Sequence, residues 1–436
     1  MTCGWTSVLA FAAVLVPWLA PLSVLADDTP WGEAKPLIDT RMHDEVAFAA
    51  DRYGQVHVLW ASKKPKDAKG SVLFYARWGG REWLVPRQVI AQPSDVIRFP
   101  VLASSNDGQL YACWYGTNAF TYFSRADALE ADRAEAWSPI AAISRVAALH
   151  CDVKVDAAGT IDVLYAASGG DVLHTRSDDQ GRSWSAPVKV SAVSSRIGTD
   201  YPRLAIDDAG GLHAVWTEYA LPNGEPVLGT AYTRSLDGGV SWAPPLAITT
   251  GSEYAEINVL ANGTDEIHLA WNGRIGFGGR YHQQSQDRGL TWSGIEEVIP
   301  KDAPGGGRTG PPDMAADSSG VVHLVSGMNP GGVMVSSRGG NGWDQPQLLQ
   351  SPAGWSEKAR IVVSEGNRLH VISQGWYFTR TINAPRLEPA PIPVAMPAAG
   401  LLSNPIVGVL LSSVALLSLV FVVRSWRIRG GSQRHR

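Results

Sequence analysis

The side chains with chemical potential in this chain are arginines, carboxylates and tyrosines placed between short apolar segments. Arg41, Arg98, Arg196, Arg274 and Arg308 are of the type that grips anionic groups, and Asp67, Glu218, Tyr201 and Tyr219 are of the types that move protons or attack. The same segments hold His43, Asp44, Glu45, Asp95, Arg145, His150, Asp200, Glu225, Glu253, Tyr254, Glu256, Glu357 and Arg360. Phosphate-cradling glycine loops, Ser-His-Asp arrangements, zinc spacings and calcium loops are missing, so neither a cofactor nor a metal is expected. His57, His213, His268, His323 and His370 look like a metal set, but they recur at one repeat position and read as scaffold. Trp60, Trp114, Trp216 and Trp271 recur in the same way and read as packing residues rather than sugar platforms.

Elements that would position such residues must be short and numerous. The chain has 436 residues with Gly 45 and Trp 17, a composition of many tight turns between aromatic-rich strands. The formal net charge is -4; without the five arginines of the C-terminal tail, 32 basic groups face 41 acidic ones, a balance of -9. That balance argues against a nucleic-acid groove.

Both ends read as targeting segments. Val8 to Leu19 is apolar and Val24-Leu25-Ala26 offers a cleavage site, so residues 1–26 are expected to be a secretory signal, although no basic residue precedes the apolar part. Ile406 to Val423 is an uninterrupted apolar run followed by Arg424, Arg427 and Arg429. A single transmembrane helix over 406–423 with a basic cytoplasmic tail at 424–436 is expected, and the body is then extracytoplasmic on a cell membrane. Residues 383–405 are proline-rich and read as a semi-stiff stalk. Cys113 and Cys151 fall on strands of neighbouring repeats; a disulfide and two buried thiols are both compatible with that placement. Asn262-Gly-Thr is a formal glycosylation sequon.

Residues 27–382 are built from repeats. Val46 to Trp60 reads as strand, Asp-Gly turn, strand, and the pattern restarts at Pro100, Cys151, Pro202, Ile257, Pro312 and Ala359, with a period of about fifty residues. Asp51 with Gly54, Asp156 with Gly159, Asp207 with Gly210 and Asp317 with Gly320 mark the turns. In a second phase Trp31, Trp83, Trp137, Trp184, Trp242, Trp292 and Trp343 each open a short strand. The first of these strands precedes any inner pair, and the last inner pair has none after it. Residues 31–39 are therefore expected to complete the final sheet, closing an all-β, seven-bladed β-propeller without open edges.

Ser177-Asp-Asp-Gln-Gly-Arg-Ser-Trp184, Ser235-Leu-Asp-Gly-Gly-Val-Ser-Trp242 and Ser285-Gln-Asp-Arg-Gly-Leu-Thr-Trp292 share the form S-x-D-x-G-x-[ST]-W. With these Asp-boxes (Asp179, Trp184, Asp237, Trp242, Asp287 and Trp292) the chain resembles the sialidase-like, or BNR-repeat, propellers from about Trp31 to Arg380, although sialidases proper have six blades. In that family the box is structural: Asp accepts turn amides, Gly allows the bend and Trp packs into the blade. The resemblance implies a ligand funnel on the face opposite the boxes. It also implies an arginine cluster for a sugar carboxylate, a Tyr–Glu nucleophile pair and an Asp acid/base, for which Arg98, Arg41, Arg196, Arg274, Arg308, Tyr201, Tyr219, Glu218 and Asp67 are the candidates. Ile97-Arg98-Phe99-Pro100 is a partial match to the family's Arg-Ile-Pro element, whereas Trp114-Tyr-Gly-Thr-Asn lacks the expected second arginine and acid. The expectation is a membrane-tethered propeller that binds a glycan or an envelope protein through its funnel; the alternative is an exo-acting glycoside hydrolase of sialidase type.

Overall fold

The structure, a computed structural model, describes residues 30–37, 46–63, 70–80, 82–92, 96–193, 196–221, 226–251, 255–273, 278–303, 311–328, 331–340, 342–352 and 358–393. The signal segment, the apolar span and the basic tail lie outside these residues. Among those described, no helix is long and apolar enough to cross a membrane.

Seven antiparallel sheets follow one another along the chain. Their innermost strands are Val46–Ala50, Ile97–Ser104, Ala148–Val155, Ile197–Ile206, Ala255–Asn262, Asp313–Ala316 and Ala359–Ser364, which number blades 1 to 7. The seventh sheet is completed from the N-terminus: Lys35 pairs with Tyr377 and Pro36 with Trp376. Backbone bonds from Gly32 to Thr379 (3.0 Å) and from Leu37 to Gly375 (2.7 Å) extend that seam. The ring thus closes as the repeat phases require.

The core lies between sheets rather than within one centre. One apolar cluster joins Leu164 and Val172 of blade 3 to Leu204, Ala214 and Trp216 of blade 4, and another joins Ala205 and Tyr232 of blade 4 to Ile257 and Trp271 of blade 5. Trp114, Trp216 and Trp271 are fully enclosed, so they pack blades and present no face to a ligand.

The Asp-box shows how blades are joined. In each copy the first Ser hydroxyl accepts the Gly amide at 2.8–2.9 Å, and the Asp carboxylate accepts the amide of the later Ser or Thr at 2.8–2.9 Å. The hydroxyls of Ser183, Ser241 and Thr291 also donate to these carboxylates, and that donation, with the amide bonds, holds Asp179, Asp237 and Asp287 down at about 2. Gly181, Gly239 and Gly289 all have φ near +80° (81, 82 and 80). A Cβ there would lie 2.3 Å from Phe123, 2.1 Å from His174 and 1.8 Å from Tyr232, which are third-strand rings of the preceding blade. The box Trp meets the same ring from the side: Trp184 on Phe123 at 5.0 Å, Trp242 on His174 at 5.5 Å, Trp292 on Tyr232 at 4.9 Å. Each box therefore clamps its neighbour's ring between glycine and indole, and the box Trp packs at an apolar cluster that its own blade shares with the preceding one. Trp137 on Tyr75, Trp343 on His282 and Trp83 on Tyr377 repeat the edge-on contact in blades without a box.

Other sequence expectations shift for physical reasons. Trp184 and Trp242 precede the outer strands Val188–Lys189 and Leu246–Thr250 instead of opening them, because the intervening prolines have no N–H for the ladder. Inner strands of blades 2 and 3 start three residues earlier than expected and that of blade 4 five, since bulges between Arg98 and Val101, Ala148 and Cys151, and Asp200 and Arg203 add residues to them. The repeated histidines are scaffold, as expected. His213 Nε2 faces Asp207 at 3.1 Å while its Nδ1 accepts the Tyr232 hydroxyl at 2.8 Å, and His57 and His370 accept Tyr75 and Tyr377 in the same way. Cys113 and Cys151 form a disulfide that links blades 2 and 3. The Asn262 amide donates to Glu266 (2.9 Å) and to the Gly320 carbonyl of blade 6 (3.1 Å), so the sequon side chain is spent on an inter-blade contact.

The propeller unit runs to Ala390. Asn383–Ala390, assigned from sequence to the stalk, lie instead against the turn face: Leu387 N–H donates to Glu365 O and Ala390 N–H to Arg52 O, both at 2.8 Å. An extended proline-containing strap can still offer its non-proline amides to turns of blades 7 and 1.

Two outcomes follow for stability. Gly289→Ala must both adopt positive φ and displace Tyr232, and is expected to cost about 3 kcal/mol in chemical denaturation. Gly159→Ala, at φ 87 with open space around it, is expected to cost about 1 kcal/mol. Equal losses would show that the clamp contributes nothing. Burial lowers the pKa of His57, His213, His268, His282 and His370 below 6.5, to about 3 for the last three. Between those values the unfolded chain takes up protons that the folded chain cannot, so stability is full above 6.5 and falls on acidification. The urea midpoint is expected to drop from about pH 7 to about pH 5, with a shallower slope in His370→Gln; a flat profile would contradict neutral buried imidazoles.

Candidate ligand-binding mouth

The innermost strands stand side by side around a central channel. Ala47, Val101, Asp152, Arg203, Asn258, Asp313 and Arg360 occupy one ladder step, one per blade, and all line a cavity of 370 Å³. Two residues earlier on the same strands, at the mouth opposite the boxes, come Phe99, His150, Tyr201, Glu256 and, just before its strand, Lys358.

Four of these form a continuous row. The His150 ring lies 4.0 Å from Phe99 and 4.3 Å from Tyr201, and the Lys358 ammonium sits 4.9 Å over Phe99. Tyr115 backs the row at 6.2 Å from both Phe99 and His150. Phe99 (φ 47), Tyr201 (φ 51) and Glu256 (φ 54) are all left-handed at the same repeat position. A non-glycine residue there carries strain of about 1–2 kcal/mol, and bulges of this kind re-aim the side chain they carry. At Phe99 and Tyr201 the bulge directs aromatic rings over the channel entrance, and both rings remain half-buried.

His150 is oriented by Asp200, whose Oδ1 lies 2.5 Å from Nδ1 and also accepts the Tyr201 amide at 2.8 Å. In a neutral ring, donation of Nδ1–H to the carboxylate leaves the lone pair on Nε2. That atom is buried and has no hydrogen-bond partner among the described residues. The mouth therefore combines flat apolar rings, one oriented acceptor and a cation, an arrangement suited to holding a hydroxylated ring compound.

The residues singled out from sequence are divided by the structure. Tyr201, His150 and Asp200 come together in the row. Arg98 precedes Phe99 opposite Tyr115, and no described residue hydrogen-bonds its side chain. Glu218 accepts the Trp216 indole N–H at 3.0 Å. The Tyr219 hydroxyl donates to the Thr199 carbonyl at 3.4 Å, with its ring lying on Gly198, where a Cβ would approach it to 2.4 Å. Glu218 and Tyr219 are thus each held by a different neighbour and are not assembled as a nucleophile pair. Arg196 is exposed at the entry to blade 4. Arg41, Asp67, Arg274 and Arg308 lie outside the described residues. Among those described, no group of three or more metal-ligating side chains is placed to hold an ion. Phe99, Tyr115 and Lys358 were missed by the sequence reading; aligning repeats on the inward-facing step would have put Phe99 and Lys358 in one column with His150 and Tyr201.

The comparisons with known proteins agree with this architecture. The model of the BNR repeat-like domain family matches residues 17–264. A lectin, BP39L from Burkholderia pseudomallei, superposes with a TM-score of 0.59 at 14% identity, over 81% of this chain and 100% of the lectin. A protein of unknown function from Dyadobacter fermentans gives 0.52 at 14% identity, over 70% of this chain and 98% of its own. A polysaccharide lyase of family PL25, an ulvan lyase, gives 0.51 at 10% identity, over 82% and 97%. At such identities these likenesses speak for the fold alone, and no curated protein sequence matches. With the family model covering more than half of its length, the chain belongs to the BNR repeat-like family.

Proposed function

We propose that this propeller is exported, tethered to the cell membrane by the apolar span at 406–423, and binds a saccharide at the mouth formed by Phe99, His150 and Tyr201. The observation that carries the reading is the strained aromatic row. Strain at positive φ persists where the surroundings enforce it, and here it sets two half-exposed rings beside an imidazole acceptor with no partner among the described residues. Sugar rings offer apolar C–H faces to such rings and hydroxyl donors to such an acceptor. That a lectin and a polysaccharide lyase share the fold supports a saccharide over an envelope protein. Binding is favoured over sialidase-type hydrolysis because Glu218 and Tyr219 are engaged elsewhere, leaving Arg98 and Tyr201 as the parts of that machinery at the mouth.

A printed array of microbial and host glycans is the first test, followed by calorimetry on each hit. Phe99→Ala and Tyr201→Ala are each expected to weaken binding about tenfold, the loss of one stacking contact. His150→Gln should weaken it similarly. Absence of any saccharide ligand, or variants that bind like the native protein, would contradict the reading; release of sugar from a sialoside that depends on Glu218 would replace it with hydrolysis.

A further inference from the structure

We propose that the channel below the mouth is a separate binding site for a small oxyanion, gripped between Arg203 and Arg360. The two arginines hold the same ladder step in blades 4 and 7, three blades apart in a ring of seven, and line one cavity of 370 Å³. At roughly 30 Å³ per water, such a space accommodates an oxyanion with part of its hydration.

The distribution of the channel's acids is what makes it receptive. Asp152 Oδ1 accepts the Val153 amide at 3.0 Å, with Lys154 at 3.7 Å, and Oδ2 accepts the Leu204 amide of blade 4 at 2.9 Å. Asp313 Oδ1 accepts the Asn258 side-chain amide at 2.8 Å, and Oδ2 accepts the Ile361 amide of blade 7 at 3.0 Å. Both carboxylates are thereby committed to joining inner strands, and the amide each takes belongs to the residue after one of the two arginines. Arg203 Nη1 donates to its neighbouring Pro202 carbonyl at 3.2 Å. Among the described residues no carboxylate lies within ion-pair distance of either guanidinium. Blades 3–4 and 6–7 thus repeat one device: an acid spent on the backbone beside an arginine left for the channel.

With Lys154, the two arginines put three cations on the cavity lining against the carboxylates of Asp152 and Asp313, and an oxyanion between the guanidiniums adds the missing negative charge and satisfies their paired donors. The fork geometry of arginine selects oxyanions such as phosphate, sulfate or carboxylate over halide. The two arginines lie about two residues, roughly 7 Å, down the strands from the aromatic row, whose Phe99 lines the same cavity, and the oxyanion reading does not require a saccharide at the mouth.

Calorimetric titration of the full-length protein with sodium phosphate, sodium sulfate and sodium acetate at constant ionic strength, with chloride as background, tests it. Saturable one-to-one binding of at least one oxyanion is expected, weakened about tenfold by Arg203→Gln or Arg360→Gln and less by the lysine variants. Arg182→Gln, an exposed box-loop change on the opposite face, should leave it unaltered. Anion-dependent protection against thermal unfolding, read separately for each variant, covers a substitution that lowers expression. No saturable binding to the native protein, or equal binding by the glutamine variants, would overturn the site whatever the mouth is found to bind.

Discussion

The structure depends on one contact repeated around the ring: in blades 1 to 5 and 7 a third-strand ring meets the indole of the next blade. Where the loop is an Asp-box, glycine leaves room for the ring and the following indole packs steeply against it. A single blade cannot satisfy this contact by itself, because its own ring needs its successor and its own indole needs its predecessor. Stability is therefore a property of the circle, and the circle requires a join. The lending of residues 30–37 to the last sheet supplies that join without leaving an edge exposed. Buried histidines extend the arrangement inward, linking turn carboxylates such as Asp207 to the hydroxyls of the clamped tyrosines.

Rigidity of this kind explains why the inner strands can carry unfavourable features. Phe99, Tyr201 and Glu256 keep left-handed backbones at bulges because strands on both sides are fixed by neighbouring blades. Those bulges, in turn, set what faces the mouth. The framework contributes one residue per blade at each step of the channel, and the chemistry of a step is set by which residues occupy it. At the mouth step that set is Phe99, His150, Tyr201, Glu256 and Lys358; at the step below it includes two acids bonded to backbone amides of the neighbouring blade and two arginines.

Much of the architecture was legible in the sequence because its signals are local. Asp-Gly turns, alternating apolar residues and the two phases of the tryptophan repeat lie within single blades, and their mismatch at the ends revealed the closure. What was not legible depends on distances between repeats. The ring that Trp242 touches, His174, lies in the preceding blade and carries no mark of the pairing. The disulfide could not be separated from two thiols until the Cα atoms of Cys113 and Cys151 were placed 6.8 Å apart. At the mouth, attention to charge favoured Glu218 and Tyr219, adjacent in sequence, whereas the strand gives each a different partner. Phe99 escaped notice as part of a motif read for its arginine, and Lys358 because it precedes its strand.

The closed ring is tested most directly by hydrogen–deuterium exchange resolved to single amides on the intact protein. The account predicts that the amides of Gly32 and Leu37, which donate to Thr379 and Gly375, exchange as slowly as the strand Trp376–Thr381 and open together with it. Fast exchange at Gly32 and Leu37 beside a protected Trp376–Thr381 would show an open seventh sheet and contradict it.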